Sequence, residues 1–548
     1  MNASVPKGGP GGEVFTVEVK LSDRDRWSGT IKRGLGGRSI APPAAGEFEG
    51  VLLDRAAEHG VVDADGGLSA LLENLAGKQE EYLDPNSLPA VVNVFRRPLS
   101  LDAVESSVAA LVGGVRGLGA ARAGDDLGRV SALLRGVLDL PADDGRYADV
   151  LMSSDEAQRG WNAWDLALAL VAQMREDWSI YGQHAAEHLL VIQMSADQAG
   201  PLIAAHLDRF VGGGFAWEDK VREVGVDGLA PMPEDMIPAD VRPYVEGDIL
   251  AITHDEFGNL RLLGGAGENT YDMTAIAAVV DLGGDDHYVY HKNAGLNTES
   301  PTRQQSIIDL AGDDVYEAEA GAIGPASGVF GYSLIDDRAG NDVYRSAGQL
   351  GIGAGLFGVG VLIDRAGNDR YENTGEHAGF SIGAGFYGAG LVIDLAGSDV
   401  YVGEKLCQGV GGPRGFGAII DTGGNDLYRA NGTVFGSAYG TPAVFLGMSQ
   451  GFGYGIRGYA AGGVGALYDF AGNDQYEAGE FSQAGGYYWG LGILHDAGGN
   501  DLYFGNRYGQ AFAAHQAAGI LVDDAGDDTY WSKTAASQAG TWDQSVGM

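Results

Sequence analysis

Two hydrophobic patterns divide the chain. From about residue 264 apolar and small residues alternate with a period of two, as in GIGAGLFGVG (351–360), and close on an apolar pair such as Leu362-Ile363, Val392-Ile393 or Ile419-Ile420. Such alternation predicts short strands. Each pair is followed by DxxGxDxY, in nine copies: Asp281 to Tyr288, Asp309 to Tyr316, Asp337 to Tyr344, Asp364 to Tyr371, Asp394 to Tyr401, Asp421 to Tyr428, Asp469 to Tyr476, Asp496 to Tyr503 and Asp523 to Tyr530. Gly264 to Tyr271 (GGAGENTY) is a degenerate tenth. Successive copies start 28, 28, 27, 30, 27, 48, 27 and 27 residues apart, a period of 27–28 with one insertion around 429–450. That period is too short for a propeller blade and lacks a leucine-rich code, but suits one coil of a β-solenoid. Coils stacked about 4.8 Å apart would place Tyr344, Tyr371 and Tyr401 in one column. The rival arrangement is an antiparallel meander with DxxG as its hairpin turns. Gln349, Gln408, Gln483, Gln510 and Gln538, five to eight positions past their tyrosines, predict an amide column.

Before residue 260 the pattern is mainly that of helices: 48–58, 67–81, 101–121, 127–138, 154–194 and 197–210, with a strand at 15–20. Ser153 with Glu156, Asp102 with Glu105, and Ser195 with Gln198 fit capping boxes. The expected organisation is therefore mixed. Residues 1–214 form a mainly α-helical domain, 215–263 a proline-containing linker and hairpin, and 264–548 a glycine-rich solenoid of about ten coils. The helical domain is expected to cap the solenoid's N-terminal end, where strand edges would otherwise be bare.

Composition narrows the function. Asp and Glu number 75 against 35 Lys and Arg, a net charge of −40, which disfavours nucleic acid and favours cations. No apolar run approaches a membrane span. Glycine, at 91 of 548 residues, fits tight corners and closely stacked coils. The single cysteine, Cys407, excludes an intramolecular disulfide framework. The first residues lack the apolar core of a signal peptide, so either the protein is not exported by that route or the sequence begins after a removed signal.

The motif carries a cation hypothesis. Two aspartate columns about 4.8 Å apart along the axis repel by roughly 0.9 kcal/mol per neighbour in bulk water and several times more at a dielectric near 20. Calcium needs six to eight oxygens, which stacked turns can supply. Position six is the expected ligand: Asp286, Asp314, Asp342, Asp369, Asp399, Asp426, Asp474, Asp501 and Asp528. Position one is the expected turn cap. GGAGENTYD (264–272) resembles the GGxGxDxUx nonapeptide of the repeats-in-toxin calcium-binding β-roll, with Asn269 where that family has Asp. The other copies share its glycine, aspartate and large apolar residue at positions four, six and eight, but recur once per coil rather than in tandem. The resemblance implies calcium-stabilised turns. The tyrosines read as a stacked structural column, with a sugar-binding stripe as the alternative.

A second candidate lies in the helical half. His184, Glu187 and His188 form HxxEH, which resembles the inverted zinc-peptidase motif; two histidines at i and i+4 can chelate zinc, with Glu187 as general base. A third ligand would come from Glu234, Glu246, Glu256 or His206. His188 also falls on an apolar face with Trp164, Leu168, Val171, Trp178 and Tyr181, which reads as packing. The leading expectation is a non-enzymatic calcium-binding solenoid of the cell surface or secreted space, meeting a carbohydrate or protein partner, or further copies of itself, on its surface. The alternatives are a zinc hydrolase at HxxEH and a polysaccharide-active β-helix.

Overall fold

The computed structural model describes residues 203–255, 258–291, 303–376, 378–457, 460–534, 536–543 and 545–548, with 2–4, 14–20, 26–32, 88, 90, 91, 123–140 and 200. The chain forms two compact units, residues 1–81 and 82–548. In the first, strands Asn2–Ser4, Val14–Lys20 and Arg26–Lys32 form an antiparallel sheet.

The second unit contains a β-solenoid of about nine turns. Three sheets of twelve, eleven and eight strands run along it, each strand hydrogen-bonded to its equivalent in the next coil. In one coil, Ala354–Leu356 belongs to the eight-stranded sheet, Val359–Asp364 to the twelve-stranded sheet and Arg370–Asn373 to the eleven-stranded sheet. The repeat pairs are parallel and in register, Asp337 on Asp364 on Asp394 and Tyr344 on Tyr371 on Tyr401, which excludes the meander. The tyrosine rings stack with centroids 5.0 Å apart from Tyr344 to Tyr371 and 4.6 Å from Tyr371 to Tyr401. The insertion leaves the register intact: Tyr428 stacks on Tyr476 at 4.9 Å.

The core follows from the alternation. Leu362, Val392, Ile419, Leu467 and Leu494 pack inward with the tyrosine column, whereas Val361, Leu391 and Ile493 belong to a second cluster on the opposite face of the twelve-stranded sheet. That second cluster also holds Leu127, Val130 and Leu134 of the helix Ala123–Val137, and Ile203, Leu207 and Phe210 from the helical residues 203–213. Trp217, on the helix Ala216–Val224, donates its indole N–H to the Leu262 carbonyl at 2.6 Å, and Glu218 meets Arg338 at 2.8 Å.

The described helices therefore cover a sheet face. At their N-terminal ends the two longer sheets finish in antiparallel pairs, Val245–Glu246 with Thr270–Asp272 and Ile249–His254 with Leu260–Gly264. The predicted helices at 48–58, 67–81, 101–121 and 154–194, and with them the expected helical cap, lie outside the described residues. Among the described residues no helix is long and apolar enough to cross a membrane.

Candidate metal-binding aspartate columns

The turn between the Asp-bearing and Tyr-bearing strands is set by its glycine. A Cβ at Gly340, Gly367 or Gly397, position four of the motif, would lie 1.7, 2.2 or 2.3 Å from the carbonyl oxygen of the equivalent glycine one coil back. Only hydrogen fits, so neighbouring turns nest and their aspartates stack.

Position one behaves as a cap and does more. Its Oδ1 accepts the N–H two residues on, as from Gly283 to Asp281 at 2.9 Å and from Ala366 to Asp364 at 3.2 Å. Its Oδ2 accepts the phenolic O–H of the preceding coil's tyrosine at 2.5–3.2 Å from Tyr288–Asp309 to Tyr503–Asp523. The tyrosines are thus donors to a buried carboxylate column as well as stacked rings, a role the motif's constant spacing could have suggested. Burial pushes their hydroxyls far above the usual phenol range, with the neighbouring carboxylates adding to the shift.

Position six is different. From Asp286 to Asp501 these residues are at most 2% exposed, and Oδ1 of each from Asp314 on accepts the main-chain N–H of the preceding coil's position-six residue, at 2.6–2.7 Å from Asp286–Asp314 to Asp474–Asp501. Their Oδ2 atoms have no partner: this holds for Asp286, Asp314, Asp342, Asp369, Asp399, Asp426, Asp474 and Asp501. The last of the column, Asp528, is half-buried and accepts from the Asp501 N–H at 3.0 Å. Among the described residues no lysine, arginine or histidine forms an ion pair with either column.

The columns meet in buried triads: Asp281, Asp286 and Asp309; Asp314, Asp337 and Asp342; Asp342, Asp364 and Asp369; Asp369, Asp394 and Asp399; Asp399, Asp421 and Asp426; and three more. Within each, one oxygen per residue lies within 4.8 Å of the others, so these groups can hold a metal ion. Both columns contribute, where the sequence reading gave position six alone the ligand role. Desolvation, followed by the other column's charges, pushes Asp286 up to about 9 and Asp314 to about 10, and desolvation lifts Asp399 to about 8. Buried carboxylates so placed must take up protons or cations.

The glutamine column sits at another corner. Gln408, Gln450, Gln483 and Gln510 follow one another through main-chain hydrogen bonds, all with φ of 56–62°. Gln450 escaped the sequence reading because the insertion carries it 22 residues past Tyr428. Gln349 instead lies opposite Gly379.

Of the zinc candidates, His184, Glu187, His188 and Glu256 lie outside the described residues. Glu234 and Glu246 are exposed. His206 is fully buried, with both ring nitrogens unpartnered and its pKa driven down to about 3 by burial, which keeps it neutral. Asp-rich turns on a β-solenoid are consistent with a β-roll repeat. Comparison with family models, curated proteins and solved structures returns no match for the chain.

Proposed function

We propose that this protein is a calcium-binding β-solenoid, a distant relative of the repeats-in-toxin β-roll, in which ions between the two aspartate columns hold the coils together. The observation that carries the reading is the file of buried position-six Oδ2 atoms without partners, those from Asp286 to Asp426 lying in triads with the position-one column. Calcium suits that environment because it is a hard cation that takes several oxygen ligands in flexible geometry. Each inter-coil step supplies carboxylates from two neighbouring coils, so an ion there opposes their separation. The tyrosine hydroxyls hold the position-one carboxylates in place, and the nested glycines fix the distance between coils.

Weak carboxylate sites of this kind fill at the millimolar calcium found outside cells, so we place the protein on the cell surface or in the secreted space. There it would serve as a rigid structural or binding module, with its outer faces available to a carbohydrate or protein partner.

The test is to count calcium in the purified protein by elemental analysis and to melt it with chelator and with millimolar calcium. Several ions per chain and a melting temperature raised by calcium are expected, since an ion at 100 times its Kd stabilises by about 2.7 kcal/mol per site. Terbium in place of calcium should luminesce on tyrosine excitation, because the hydroxyl column lies beside the triads. A chain that binds no calcium and melts identically in both conditions would sink the proposal.

A further inference from the structure

The file of unpaired carboxylate oxygens stops abruptly at its N-terminal end. One coil before Asp286, position six is Asn269 and position one is Gly264. Asn269 is 3% exposed and fully engaged. Its Nδ2 donates to Asp281 Oδ2 at 3.0 Å, its Oδ1 accepts the Asp248 N–H at 2.5 Å, and its main-chain N–H reaches Asp286 Oδ1 at 2.6 Å. Tyr271 donates its hydroxyl to the same Asp281 oxygen. A Cβ on Gly264 would lie 1.9 Å from that oxygen and 2.0 Å from the Tyr271 hydroxyl, so no carboxylate can be accommodated at position one. The coil keeps the tyrosine column's register: Tyr271 pairs with Tyr288 in parallel, and their rings stack at 5.0 Å.

We infer that Asn269 is the end-stop of the ion file: its amide N–H supplies to Asp281 the positive partner that a bound cation supplies at every later step. In the coils that follow, the equivalent atom is an unpaired Asp Oδ2, at least 98% buried from Asp286 to Asp501. An amide there satisfies its neighbour without an ion; a carboxylate does not. Aspartate at 269 would complete a further triad with Asp281 and Asp286. Asn269 is therefore a positioning residue that sets where cation binding begins. This inference rests on the calcium reading above.

The experiment is a calcium count on the full chain, with terbium luminescence as a second measure, for the wild type, Asn269→Asp and Asp314→Asn. Asn269→Asp should bind one more ion per chain than the wild type and melt lower than it in chelator. Asp314→Asn transplants the amide two coils inward; it should bind at least one ion fewer and melt higher than the wild type in chelator, because an unpaired carboxylate oxygen becomes a donor. This variant keeps the inference testable should Asn269→Asp not fold. A wild type that binds several ions, with neither variant changing the count, would overturn the end-stop and leave the calcium reading standing. A wild type that binds none would overturn both.

Discussion

Two polar columns run through the interior of this solenoid at the same spacing, and they solve the same problem in opposite ways. At one corner each glutamine amide donates to carbonyls of two neighbouring coils: Gln483 to Tyr476 and Phe504 at 3.1 and 3.2 Å, and Gln510 to Tyr503 and Trp531 at 3.1 and 3.0 Å. At the turn each position-six aspartate from Asp286 to Asp501 receives one main-chain N–H and leaves its second oxygen empty. A neutral donor cross-links coils by itself, at the cost of an unpartnered amide oxygen at Gln450, Gln483 and Gln510. A carboxylate stacked on carboxylates needs something else. The protein keeps the neutral solution where it needs adhesion alone, and the charged one where, on our reading, it takes up cations.

The comparison breaks first under pH. Burial and mutual repulsion raise the position-six carboxyls, from about 6 for Asp369 and Asp501 to about 10 for Asp314. A raised folded-state pKa means that the folded protein holds the proton more tightly than the unfolded chain. The associated stability is present below the ordinary carboxylate pKa near 3.8 and is lost as pH climbs through the folded values. In chelator, stability should therefore fall from about pH 4 upward until the highest of these carboxyls ionises near pH 10, by several kcal/mol summed over the column, and calcium should abolish or reverse that fall. Melting curves at pH 5.5 and 9, with and without calcium, check this. Equal stability at both pH values in chelator would show that the columns carry no unmet charge.

How much of this was legible in the sequence depends on periodicity. The coil, its parallel register and both aspartate columns could be read because Asp and Tyr recur at fixed offsets, and a constant offset is what stacking requires. The empty Oδ2 at position six was not legible: Asp364 and Asp369 look alike in DRAGNDRY, and only the fold shows that Tyr344 donates to Asp364 Oδ2 while Asp369 Oδ2 has no partner. Gln450 was hidden because the insertion breaks the offset. That insertion is pinned by Glu480, which accepts from the Ser437 hydroxyl and the Ala438 N–H at 2.8 Å, contacts no periodicity encodes. The role of the described helices also depends on long-range packing, since an apolar helix face reads the same whether it meets a sheet face or a sheet end.

A smaller effect sharpens the contrast between the columns. Gln483→Leu removes two buried hydrogen bonds and adds no charge, so it should lower stability by about 1–3 kcal/mol. The loss should be the same in chelator and in calcium, because no carboxylate or ion is involved. Chemical denaturation in both conditions measures it. A loss confined to the calcium-free state would tie the glutamine column to the ions and remove the distinction drawn above.

The smallest expected effect comes from a third column, which separates burial from spacing. Position five of the turn faces water and is also a ladder: Asn473 donates its amide to Asn425 Oδ1 at 3.0 Å and accepts the Asn500 N–H at 3.0 Å, and the pattern repeats along neighbouring turns. Its geometry resembles that of the glutamine corner, with side-chain amides bridging coils at the same period. Asn473 is exposed, however, so water replaces either partner when the side chain is removed. Asn473→Ala should therefore cost no more than about 0.5 kcal/mol in the same denaturation experiment, as surface substitutions usually do. A loss as large as that of Gln483→Leu would mean that the regular spacing itself stabilises the stack, whether or not the column is buried.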